Sequence, residues 1–208
     1  IIVEIALPSN VDSWVEENFN SNNLLPHLTY EHKKNLIFKS KKILNKIKSN
    51  SDFEPLVYKD NIFFYDNSGS IFNYSLIDFN MVWEFNFYKK KFKNFPIQIN
   101  FIIESGNLIV SDNLGYFYNL NIDSGKINWA KNYGIPFKSN LKSDEQFVFG
   151  VNQDNKFYSI KHNTGEKRLD LETFPSLLQS KQKSSVGLDK INKNVFFIAS
   201  TGEIYSIN

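Results

Sequence analysis

Apolar runs of three or four residues, each closed by a cluster of Asn, Asp, Ser and Gly, recur along this chain. They are Ile62-Phe-Phe-Tyr65, Leu108-Ile-Val110, Phe147-Val-Phe149 and Val195-Phe-Phe-Ile198. Short β-branched and aromatic runs bounded in this way read as strands buried on both faces. Behind them come Asp66-Asn-Ser-Gly69, Asp112-Asn-Leu-Gly115, Gln153-Asp-Asn155 and Ser200-Thr-Gly202. The glycines, and Asn155 in their place, supply the positive φ of a tight hairpin turn. An alternating strand follows, such as Tyr116-Phe-Tyr-Asn-Leu-Asn-Ile122, then a second turn, Asp123-Ser-Gly125 or Asn163-Thr-Gly165. A further strand, carrying Trp83 or Trp129, completes the pattern. Another strand precedes each apolar run: Leu56-Val-Tyr58, Ile99-Asn-Phe-Ile-Ile103, an indistinct stretch near Leu141, and Val186-Gly-Leu188.

The turn positions Gly69, Gly115, Asn155 and Gly202 stand 40 to 47 residues apart. Three residues beyond each lies an aromatic: Phe72, Tyr118, Tyr158 and Tyr205. Ten beyond the second and third lie Gly125 and Gly165; fourteen beyond the first three lie Trp83, Trp129 and Leu169. A period of this length, built from short strands, is the signature of propeller blades. The expected fold is therefore all-β, a partial β-propeller of about four four-stranded antiparallel blades. The units run over 53–88, 97–133, 138–172 and 183–208, behind an N-terminal segment at 12–50. The last unit lacks its outer strand, which leaves an edge unpaired; the chain reads as part of something longer.

Composition adds boundaries. Phe, Tyr, Ile and Val dominate the apolar stock, which favours strands. No apolar run reaches the length of a membrane-spanning helix. The formal charge of +2 is too small to imply nucleic acid as a partner. The absence of cysteine rules out disulfides and thiolate sites.

The unit resembles the PQQ-like β-propeller repeat, most clearly over Ser111 to Trp129. Trp14 with Asn20, Asn22-Asn23, Pro26-His27-Leu28 and Asn35-Leu-Ile-Phe38 resembles the opening of BamB-type chains. These belong to the propeller lipoproteins of the outer-membrane β-barrel assembly machinery. Phe38 and Leu169 depart from the pattern by standing where tryptophan is usual. The resemblance implies an eight-bladed ring whose last blade is completed by the N-terminal strand. It implies a non-enzymatic periplasmic scaffold without cofactor, docked on a BamA-like barrel assembly protein. An N-terminal lipid, not contained in this sequence, would hold it to the outer membrane.

Candidate chemistry is sparse. His27, His32 and His162 lack the converging ligands a zinc site needs. Asp66, Asp112, Asp123 and Asp154 sit at turns, where Asp bonds its own backbone. Trp83 and Trp129, equally spaced from their glycines, read as wedges between blades; stacking on a cofactor is the competing reading, since quinoprotein dehydrogenases share the repeat. Those enzymes usually carry calcium ligands and often a vicinal cysteine pair, and no cysteine is present. A quinoprotein fragment and a ligand-sensing propeller stay open as alternatives. No nucleophile elbow, phosphate loop or HExxH occurs. Two lysine clusters, Lys39, Lys41, Lys42, Lys46 and Lys48, then Lys89, Lys90, Lys91 and Lys93, fall where connections between blades are expected and read as solvated loops.

Overall fold

The computed structural model describes residues 5–30, 35–36, 38–39, 54–89, 91–92, 95–173 and 183–208. Its strands form four separate antiparallel sheets in chain order. The first holds β1 (Leu56–Tyr58), β2 (Asn61–Tyr65), β3 (Ser70–Ser75) and β4 (Met81–Asn86); the second holds β5 (Ile99–Glu104), β6 (Asn107–Asp112), β7 (Tyr116–Asn121) and β8 (Ile127–Asn132). The third holds β9 (Lys142–Ser143), β10 (Phe147–Val151), β11 (Phe157–Lys161) and β12 (Lys167–Leu171). The fourth has three strands, β13 (Val186–Asp189), β14 (Asn194–Ile198) and β15 (Ile204–Ile207). Each strand pairs with the next through a short turn, and no helix occurs among the described residues. The architecture is all-β, a set of propeller-like blades.

The continuous apolar runs follow from where each sheet stands. Along β6, Leu108 and Val110 join a core shared with Phe63, Ile71 and Trp83 of the first sheet. Ile109, between them, faces the other way and packs with Val148 and Ile160 of the third sheet. Phe149, Val151 and Phe157 of the third sheet then pack with Val186, Val195 and Phe197 of the fourth. The core is thus three layers, each between successive sheets. A strand with an apolar layer on either side cannot show simple alternation. Each large side chain moved out of water there contributes about 1.5–3 kcal/mol.

The turn glycines meet a demand of the backbone. Gly125 and Gly165 have φ of 66° and 67°, and a Cβ on either would lie 2.6 Å from the ring of Trp83 or Trp129 respectively. Each tryptophan belongs to the outer strand of one sheet and covers a turn of the next. There the Nε1–H of Trp83 donates to the Ile122 carbonyl at 2.9 Å, and that of Trp129 to the His162 carbonyl at 3.0 Å. Opposite them the register shifts after Asn73 and after Asn119, and a bulge of this kind re-aims the facing side chain.

The position ten residues after Gly69 is Phe79, which holds φ at 55° without being glycine. Phe38 stacks on it, ring centroids 5.4 Å apart and planes 18° apart, and also meets Tyr74 at 5.9 Å. Phe38 therefore lies over the first sheet's turn as Trp83 lies over the second's. Residues 35–36 and 38–39 themselves form no strand; of the expected N-terminal segment at 12–50, residues 31–34, 37 and 40–50 lie outside the described residues.

Candidate functional site

The first strand of each sheet, β1, β5, β9 and β13, is touched by one piece of chain, Trp14 to Asn23. Trp14 exchanges both backbone bonds with Val57 of β1, at 2.6 and 2.8 Å, and the Val15 carbonyl accepts from the Ile103 amide of β5 at 2.8 Å. The Lys142 ammonium of β9 donates to the carbonyls of Glu17 at 3.0 Å and Asn20 at 2.6 Å. The Ser21 carbonyl accepts from the Leu188 amide of β13 at 2.7 Å. Asn23 Nδ2 donates to the Val186 carbonyl at 3.0 Å. Residues 14–23 thus form a strap across the inner wall, visiting the sheets in their order.

Local chemistry bends the strap. Asn18, Phe19 and Asn23 hold positive φ, a conformation asparagine tolerates better than most residues with a Cβ. Asn20 Oδ1 accepts the amides of Asn22 and Leu24, while its Nδ2 donates to the Leu24 carbonyl. Asn140 closes the far end, accepting the Val186 amide at 2.7 Å and donating to Asn23 Oδ1 at 3.2 Å. The asparagine-rich stretch is therefore the strap's own scaffolding.

At its centre lies a buried ion pair. Lys142 Nζ stands 3.0 Å from Glu16 Oε2, with side-chain exposures of 0% and 7%. Burial pushes the Glu16 carboxyl up and the Lys142 ammonium down, each opposed by the attraction of the other. The ammonium donates to two carbonyls and faces the carboxylate across 3.0 Å, while Glu16 Oε2 has no hydrogen bond beyond that charge contact, so the pair rests on mutual attraction in a buried site. A second pair, Lys183 with Glu17, ties the strap to the approach of β13.

Another buried polar group joins the first two sheets. The Tyr88 hydroxyl donates to Asp112 Oδ2 at 2.5 Å and lies 3.4 Å from the Tyr118 hydroxyl. The other carboxylate oxygen, Oδ1, accepts the amides of Leu114 and Tyr116, both at 2.8 Å. Burial raises Asp112 despite these bonds, and it raises both tyrosines. The arrangement is a sealed interface lock with no access for a substrate.

The repeat positions occupy corresponding places. Gly69, Gly115, Asn155 and Gly202 hold φ of 76°, 85°, 62° and 95°. Phe72, Tyr118, Tyr158 and Tyr205 lie on the third strand of their sheets. Two turn assignments need correction. In the third sheet Asn152 is the residue whose Oδ1 accepts two turn amides, those of Asp154 and Lys156; Asp154 only donates. In the second turn of the second sheet Asn121 Oδ1 accepts from Ser124, not Asp123. Both acceptors stand at the end of a strand, where counting from the glycine would have found Asn152. His162 holds the turn before β10, Nε2 meeting the Glu145 carbonyl at 2.7 Å, and His27 Nδ1 meets the Ala6 carbonyl at 3.0 Å. His32 and Lys41, Lys42, Lys46, Lys48, Lys90 and Lys93 lie outside the described residues. Among those described, no three His, Asp or Glu side chains converge as metal ligands would.

Sheet order, wedge geometry and the covered inner wall can be set beside known structures. BamB from Moraxella catarrhalis superposes with a TM-score of 0.56 at 13% identity, over 71% of this chain and 46% of that one. The fold is that of β-propeller blades. A quinohemoprotein alcohol dehydrogenase from Pseudomonas putida HK5 superposes with a TM-score of 0.54 at 9% identity, over 69% of this chain and 27% of that one. The computationally designed Ika4 protein gives 0.60 at 9% identity, over 81% and 98%. This chain thus spans under half the length of the BamB structure it resembles. No family model and no curated protein sequence matches it. Likeness at such identity carries the fold alone. No described helix is long and apolar enough to cross a membrane.

Proposed function

We propose that this chain is one segment of a BamB-like propeller, a non-enzymatic periplasmic scaffold that assists assembly and insertion of outer-membrane β-barrel proteins. The observation that carries this reading is the strap. A propeller's natural place for a cofactor or small substrate is the concavity at the inner ends of its blades. In this chain residues 14–23 occupy that place on all four sheets, with backbone bonds to β1, β5 and β13 and the buried Lys142 of β9. Among the described residues the carboxylate buried on that wall, Glu16, already faces Lys142, so the residues present do not fit a quinone and its cation. What is left for recognition is the surface of loops and blade edges, which suits protein partners. In this reading the whole of 1–208 is a single propeller segment, with blades near 53–88, 97–133, 138–172 and 183–208. The partner is a BamA-like protein, and a lipid on the N-terminal side holds the scaffold to the membrane.

Purified chain titrated with the periplasmic domains of a BamA protein tests the reading. Saturable binding in calorimetry is expected. No binding, together with dye-linked oxidation of alcohols after loading with quinone and calcium, would favour the dehydrogenase reading instead.

A further inference from the structure

On the face of the sheets where β9 turns into β10, a groove of about 560 Å³ opens beside the strap. Its size falls in the range of ligand sites, roughly 300–1,000 Å³. Phe147, Phe149 and Leu188 form its floor. Glu104, Asp144 and Glu145 line one side, and Lys190 and Lys193 the other.

Both sides are built before any ligand arrives. Asp144 Oδ1 accepts the amides of Gln146 at 2.8 Å and Phe147 at 2.6 Å. The Glu145 carbonyl is pinned by His162. Glu104 accepts hydrogen bonds from Ser143 at 2.8 Å and Ser105 at 3.0 Å. On the basic side Asp189 Oδ1 accepts the amides of Ile191 and Asn192, fixing the turn that carries the lysines. Lys190 and Lys193 are exposed, and Lys190 acts at a distance on the buried Glu16 carboxylate. Opposite charges thus line one recess and stay apart across an apolar floor. A ligand that spans the gap must offer a cation to one side, an anion to the other and an apolar group between them.

We infer that this groove holds an extended peptide segment with an apolar side chain flanked by one basic and one acidic residue. The flanking charges meet the two sides, and the apolar side chain covers the partly buried Phe147. The inference rests on the groove alone, so a failure to bind BamA would leave it standing.

The test uses fluorescein-labelled, end-capped pentapeptides with phenylalanine between lysine and glutamate, in both orders. A third peptide carries serine at both flanking positions. Fluorescence anisotropy should show saturable binding of at least one charged peptide to the 208-residue chain. Binding should weaken about tenfold in Lys190→Glu with Lys193→Glu, and in Glu145→Lys, whose exposed side chains leave folding intact. An unchanged circular dichroism spectrum checks that last point. The proposal fails if neither charged peptide binds, if the serine peptide binds equally well, or if the charge-reversed variants bind like the parent. Displacement of the peptide by an equal concentration of free phenylalanine would also overturn it, because the site would then belong to a small zwitterion.

Discussion

Neighbouring sheets are locked together in two ways. Between the first and second sheets, and between the second and third, a tryptophan from one outer strand covers a turn glycine of the next sheet. Between the third and fourth, Leu169 stands at the tryptophan position and is 41% exposed. There the contact runs instead through stacked rings, Phe149 on Phe157, Phe157 on Phe197 and Phe197 on Tyr205, with planes 11° to 16° apart. Asn155 adds two hydrogen bonds to Ser200, donating at 2.8 Å and accepting at 2.9 Å. The difference teaches that the wedge is a choice made per interface. A tryptophan covers a large area but needs a glycine beneath it and a carbonyl for its N–H. A ring ladder needs neither, but it needs aromatics in register on four strands.

The largest effect separates the two locks directly. Trp83→Ala removes a buried ring and leaves a cavity over Gly125, costing about 3–5 kcal/mol. Leu169→Ala at the equivalent exposed position costs under about 1 kcal/mol. Urea midpoints of the two variants check this, and equal shifts would erase the distinction.

The strap gives an effect of similar size by other physics. Lys142→Met leaves Glu16 buried without its partner, at about 3–5 kcal/mol. Adding Glu16→Leu should recover most of that loss, since a buried pair replaced as a whole is often neutral. A double-mutant cycle measures the coupling; purely additive effects would mean the pair is not a unit.

Asn155→Ala attacks the second lock. It deletes two hydrogen bonds across the interface and puts alanine at φ 62°, together about 2–3 kcal/mol. Hydrogen exchange should show the loss concentrated in β13 to β15, while the first two sheets keep their protection.

The smallest effect concerns Asp112. Asn152 makes the same pair of turn bonds in the third sheet, so Asp112→Asn keeps the turn and changes stability by less than about 1 kcal/mol at low pH. Burial lifts the Asp112 carboxyl, so the folded state keeps its proton to higher pH than the unfolded chain does. Its contribution to stability therefore falls as pH rises from the unfolded to the folded value. Asparagine has no such slope. The variant should gain on the parent across that window and stay ahead at neutral pH, as thermal melts at several pH values would show.

The blades were legible because their signals are local: a glycine at a fixed count from an aromatic and a tryptophan, each forced by a turn or a ring. The three strands of the fourth sheet were legible from the same spacing. The strap was not, because its bonds join groups far apart in sequence, with no local pattern to mark them. Lys142 sat in a stretch with no clear period, where a lysine ordinarily means solvent. Phe79 was hidden as well, since nothing local announces a phenylalanine at positive φ; Phe38, distant in sequence, supplies the reason. Asp154 misled because an acidic residue in a turn was credited with bonds that Asn152 makes.

The strap crosses the inner wall of all four sheets, and the proposed scaffold role requires that the molecule recognise proteins and not a quinone. Calorimetric titration of the chain with pyrroloquinoline quinone and calcium, beside titration with the periplasmic domains of BamA, tests it most directly. The account predicts saturable heat with BamA and none with the quinone. Stoichiometric quinone binding that leaves the strap intact by hydrogen exchange would contradict it.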